Sequence, residues 1–203
     1  MRKKSHISLA SFILKNMEKH NLHEHKKAFY FGSILPDLKP SFLTRRHNIE
    51  GTFDILIKEI KRLTIYYDVN KGIGRYYARH LGIITHYLAD YCTYPHNSEY
   101  TGTIADHVSY EKEMKFRLNE YVELDEMQIK NSNGHKLLTV DDIIHFIKKT
   151  HKEYLKSLRA IEKDIYYIIE LCSKVVHAIL AFFELEFKTL GLTSGPKLQY
   201  NQL

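Results

Sequence analysis

Residues 164–189, DIYYIIELCSKVVHAILAFFELEFKT, decide the fold class. Their apolar side chains recur at helical spacing and fall on almost every side of the helix, interrupted by Glu170, Lys174, His177 and Glu184. A helix buried on most faces belongs in the middle of a bundle. The interruptions keep it short of the roughly 18 apolar residues a membrane span requires.

Upstream segments supply helices to surround it. Thr139-Val140-Asp141-Asp142 resembles a capping start, after which Ile143, Ile144 and Ile147 continue as one face. Helical spacing predicts further helices over residues 106–122, 73–91 and 49–65, the last with Phe53, Leu56, Ile57 and Ile60 inward. Ala28, Tyr30 and Phe31 suggest a shorter helix ending near Gly32, and Ile7, Ala10, Leu14 and Met17 share one side of a first. Pro36 and Pro40 make residues 33–46 an irregular connector. Residues 124–138 read as a polar loop, in which only Gln128-Ile129-Lys130 offers weak strand pairing. The expectation is an all-α, single-domain, multi-helix bundle over residues 1–192 around a buried C-terminal helix. Residues 193–203, with Gly195-Pro196 and no periodicity, form a flexible tail.

Composition agrees with that class. A chain of 203 residues can bury a core without staples, and 9 Gly with 4 Pro are too few for an all-β domain of many tight turns. Cys92 and Cys172 cannot make a disulfide framework, which suits a reducing compartment. Met1-Arg2-Lys3-Lys4 resembles the start of a secretory signal, but the apolar stretch after it is ended by Lys15. The segment reads as an amphipathic helix, and the expected location is cytoplasmic. The net charge is +6, but the basic residues are dispersed rather than striped, so duplex DNA is not an expected partner.

Thirteen His are an excess for this length, and neutral imidazole is the commonest metal ligand. A carboxylate four residues after a His places both on one helical face. Three such pairs occur: His20/Glu24, His86/Asp90 and His107/Glu111. Chance alone produces some, so context separates them. His20/Glu24 lies in a charged stretch and reads as a solvated helix end or connector. His86 and Asp90 stand among apolar neighbours, where a buried carboxylate needs a partner: a metal ion, an Arg or a Tyr. Pro95-His96 and then His107 to Glu111 follow closely, so within residues 85–111 three His (His86, His96, His107) and two of the carboxylates (Asp90, Glu111) make one candidate cluster. His80, His145, His151 and His177 have no matched partner and read as packed or surface residues. Arg45 and Arg46 suit either a substrate phosphate or solvent.

The run Gly82-x3-His86-Tyr87-Leu88-x-Asp90-x4-Pro95-His96, followed by His107-x-Ser109-Tyr110-Glu111, resembles the signature of the zinc-dependent phospholipases C. Those enzymes share an all-helical fold and a three-zinc site with zinc-dependent single-strand nucleases. Ser5-His6, Gly32-Ser33-Ile34-Leu35-Pro36-Asp37 and Arg46-His47 resemble the family's upstream segments, in family order.

The resemblance implies one zinc held by Asp37, His47, His86 and Asp90, and a second held by His96, His107, Glu111 and water. Asp90 would bridge to a third ion, with His6 as its remaining ligand. In the secreted phospholipases an N-terminal Trp chelates that third ion, and this chain has no Trp. The Met1 amine or water takes that place, or the chain holds two zincs rather than three. The reaction implied is phosphodiester hydrolysis, with Asp37 as general base or water-orienting group and the metals lowering the pKa of the attacking water. The expected partner is a soluble phosphodiester or a phospholipid head group met at a membrane surface. A nuclease or nucleotidase on the same site, and a non-catalytic helical metal-binding module, are the alternatives.

Overall fold

The computed structural model describes residues 1–17, 21–38, 47–124 and 137–191. Among these, seven α-helices and no strand occur: α1 (Lys3–Lys15), α2 (Lys26–Ile34), α3 (Ile49–Leu63), α4 (Arg75–Tyr91), α5 (Ile104–Leu124), α6 (Val140–Lys156) and α7 (Ile161–Thr189). Arg45, Arg46, His20, the weak strand candidate and the expected tail lie outside the described residues.

The expected all-α bundle is what forms. α7 is buried on most sides from Asp164 to Phe183, and α4 is covered still more completely, with every residue from His80 to Tyr91 buried. The two pack together, and α1, α3, α5 and α6 also contact α7. Of the apolar residues that mark the first two helices, Ile7 is 36% exposed and Phe31 46%. The buried side of α1 is carried by Leu9, Ala10, Phe12, Ile13 and Leu14, because α2 and α5 pack on that helix. On α2 the face against α4 is Phe29, Gly32 and Ser33, which turns Phe31 outward.

Local chemistry sets the helix starts. Asn48 caps α3, its side chain accepting from Gly51 N at 3.0 Å. Thr139 and Asp142 form a reciprocal capping box at α6: Thr139 Oγ1 accepts from Asp142 N at 3.1 Å and Asp142 Oδ2 accepts from Thr139 N at 3.0 Å. Thr139→Ala is therefore expected to cost about 1 kcal/mol of stability, read as a lower urea midpoint with an unchanged slope.

The contact that positions the site is the crossing of α2 and α4. A β-carbon on Gly32 would lie 2.0 Å from the Arg79 carbonyl oxygen, and one on Gly82 would lie 2.2 Å from the Phe29 carbonyl oxygen. Only glycine at both positions lets the two backbones touch. The approach brings the Ser33 carbonyl within 2.9 Å of His86 Nδ1.

Candidate metal centre

His86 and Asp90 project from one face of α4, both fully buried. The turn Pro36–Leu38 after α2 brings in Asp37, and His47 arrives just before α3. One ligand atom from each of these four lies within 4.8 Å of the others. His47 Nδ1 is 3.1 Å from His86 Nε2, and Asp90 Oδ2 is 3.2 Å from His86 Nε2 and 3.4 Å from His47 Nδ1. Asp37 Oδ1 stands 3.6 Å from both imidazoles.

A second group, equally tight, joins His96 from the short turn Tyr94–His96 to His107 and Glu111 from α5. His107 Nε2 and Glu111 Oε1 are 3.5 Å apart. His6 belongs to neither group. It stacks on His86, ring centroids 4.1 Å apart, with Nε2 3.4 Å from Asp90 Oδ1. The Met1 amine donates to the same Oδ1 at 2.8 Å and lies 2.9 Å from His96 Nε2 and 3.5 Å from Glu111 Oε1. Asp90 thus faces the first group through Oδ2 and His6 with the Met1 amine through Oδ1.

The donor set fits a cation. His6 Nε2 and Asp90 Oδ2 are buried and have no hydrogen-bond partner, a condition that costs about 1–3 kcal/mol per group unless an ion or water supplies one. The donors are imidazole nitrogens and carboxylate oxygens without thiolate, a combination zinc accepts in catalytic sites. The Ser33 carbonyl can only accept, so it holds the proton on His86 Nδ1 and leaves the Nε2 lone pair facing the group.

Protonation states match that role. Burial lowers His6 to about 3, the neighbouring His86 adding to the effect, and burial likewise lowers His96 to about 3. Both rings are neutral near pH 7. Burial alone would raise Asp90, but His96, the Met1 amine, His86 and His6 together hold it well below the usual carboxylate range. Burial, reinforced by the charge of Asp90, pushes the Asp37 carboxyl up.

Several supporting residues have no periodic signature in the sequence. Asn97 Nδ2 donates to the Tyr91 and Thr93 carbonyls, and its Oδ1 lies 3.0 Å from His151 Nε2, which fixes the turn carrying His96. Asp164 accepts from the Tyr110 hydroxyl and from Tyr94 N, tying α7 to the residues beside Glu111 and His96. Burial raises its carboxyl to about 6. His80 pairs with Glu59 and Arg62 away from the centre, and His145 is exposed on α6. These placements agree with the packed-or-surface reading of His80, His145 and His151. His177 is half-buried on α7, its ring 2.8 Å from the Ser173 carbonyl one turn back.

Both groups open on a cleft of about 1000 Å³, whose walls include Met1, Asp37, His47, His96, His107 and Glu111. An all-helical body with a buried His/carboxylate centre at the floor of a cleft defines a class of metal-binding α-proteins. Residues 5–161 match the family model described as zinc dependent phospholipase C, and the chain belongs to that family. The match extends past Glu111 through α6, further than the signature residues alone. No curated protein and no solved structure matches the chain.

Proposed function

We propose that the protein hydrolyses phosphodiester bonds in the manner of a phospholipase C, with zinc held at this centre. One observation carries the reading: five His, three carboxylates and the Met1 amine converge about Asp90 beneath an open cleft. Asp37, His47, His86 and Asp90 would hold one ion, and His96, His107 and Glu111 a second. Asp90 Oδ1, His6 and the Met1 amine would hold a third, in the place where the resemblance puts an N-terminal residue.

Zinc bound there supplies positive charge for the phosphate oxygens and lowers the pKa of a nearby water. Asp37 lines the cleft, which places its carboxylate to take the proton from the water that attacks phosphorus. As the new P–O bond forms, the bond to the leaving oxygen breaks, and that oxygen takes a proton from solvent in the cleft. The products are a phosphomonoester and an alcohol. Ser33 keeps the His86 ring oriented, and Asn97 holds the turn that carries His96.

The test pairs metal analysis with hydrolysis of phosphocholine, nucleotide and single-stranded substrates. His86→Ala and His107→Ala are expected to lose metal and turnover, whereas His145→Ala keeps both. Equal losses in all three defeat the assignment. Full metal content with no turnover of any phosphodiester favours the non-catalytic module instead.

No described helix is long and apolar enough to cross a membrane.

A further inference from the structure

Beyond the proposed ligands, the charged residues on the walls of the cleft are all cationic. Asp37 and Glu111 are the acidic residues among the described lining, and both belong to the ligand groups; the others are Arg2, Lys3, Lys4 and Lys115. Arg2 Nε lies 3.6 Å from Glu111 Oε2. Lys3 and Lys4 are exposed and Lys115 is half-buried, and among the described residues no carboxylate pairs with their ammonium groups.

The position of the cations is locally unfavourable. Arg2, Lys3 and Lys4 stand at the N-terminal end of α1, where the helix dipole favours anions, and the first turn contains no acid to offset them. The start of α1 thus presents three successive cations, with no acid in its first turn, to the wall of the cleft.

Along α5 the wall changes character. Ile104, 86% exposed, and Val108, 40% exposed, line the cleft near the helix start. Lys115 lines it eleven residues beyond Ile104, about 16 Å along the axis. Along α5 the lining therefore runs from Ile104 through His107, Val108 and Glu111 to Lys115, the apolar residues toward the helix start and the cation beyond the last ligand.

We infer that the cleft takes a phospholipid whose head group carries negative charge beyond the scissile phosphate, the head group lying against Arg2, Lys3, Lys4 and Lys115 and the apolar part against Ile104 and Val108. This rests on the phosphodiesterase reading and names the substrate class for it. A quaternary ammonium head group would face like charge at the same place.

The experiment measures binding and kcat/KM of the zinc-loaded full chain on three monomeric short-chain lipids: dihexanoyl phosphatidylcholine, phosphatidylinositol and phosphatidylinositol 4-phosphate. The last two differ by one phosphate. The expected order is phosphatidylinositol 4-phosphate first and phosphatidylcholine last, with about tenfold between the two inositol lipids, narrowing as salt is raised. The triple variant Lys3→Glu/Lys4→Glu/Lys115→Glu is expected to reverse the order with zinc content unchanged. Acidic residues suit the first turn of α1, so folding of this variant is not the limiting concern.

Equal binding of the three lipids, or an order unaltered in the triple variant, overturns the inference. Ordered binding without turnover of any lipid contradicts the hydrolase reading while supporting the head-group preference. A thymidine oligonucleotide bound or cut better than all three lipids overturns the inference in favour of a single-strand nuclease.

Discussion

Asp90→Asn is expected to strip the centre of zinc and abolish hydrolysis in a chain that remains helical. Asp90 is the residue on which the whole arrangement depends, because Oδ2 faces His47 and His86 while Oδ1 faces His6 and the Met1 amine. The amide is nearly isosteric but replaces one oxygen with a donor and removes the negative charge. One side of the residue then presents N–H groups where a cation should lie. Loss of a residue that only supports a metal ligand costs about 10–100-fold in affinity, and a carboxylate shared between sites should cost more. In the metal-free chain the substitution also leaves the buried Met1 ammonium without its closest counter-charge. Breaking one side of a buried ion pair costs about 3–5 kcal/mol, although Glu111 at 3.5 Å retains part of the compensation. The measurement is zinc content with a thermal melt on the same sample. Retention of full zinc and activity by the variant would remove Asp90 from the centre.

Gly82→Ala is expected to be nearly as severe, although Gly82 bears no ligand. Its β-carbon would meet the Phe29 carbonyl oxygen at 2.2 Å and the Ser33 amide nitrogen at 2.7 Å, both backbone atoms of α2 that have no rotamer to change. Relief requires α2 to move away from α4. Overpacking of this kind typically costs about 1–3 kcal/mol, and here it also separates Ser33 from His86 and displaces Asp37, which follows α2 directly. The expected result is a lower urea midpoint together with weakened zinc binding. Gly74→Ala is the control for zinc binding: nothing lies within 4 Å of a β-carbon there, so beyond the cost of Ala at the α4 N-cap it leaves the α2–α4 approach unchanged. Comparable effects in both variants would mean that the α2–α4 approach does not set the site.

Gly32 and Gly82 show what the sequence conveyed and what it did not. The helix pattern was legible because each helix repeats its own period, and His86/Asp90 and His107/Glu111 were legible because one turn spaces them. Asp37 and His47 had no period to reveal them; the resemblance to a family pointed to them, and the turn after α2 and the residues before α3 bring them to α4. The close approach at Gly32 and Gly82 could be placed only once α2 and α4 were seen to touch. Asn97 with His151, and Asp164 with Tyr110, join residues 54 positions apart in each case, a separation at which no local pattern survives. Glu59 escaped notice for the same reason, since its partner His80 sits on another helix. Ile7 and Phe31 are exposed although both are apolar at helical spacing, because the neighbouring helices decide which face of α1 and α2 is covered.

Metal stoichiometry tests the central claim most directly. The purified full chain should contain two or three zinc ions, and chelation should remove them with a clear fall in Tm, because the ions bind the folded state preferentially. Less than one zinc per chain, with a Tm unchanged by chelator, would contradict a metal centre about Asp90.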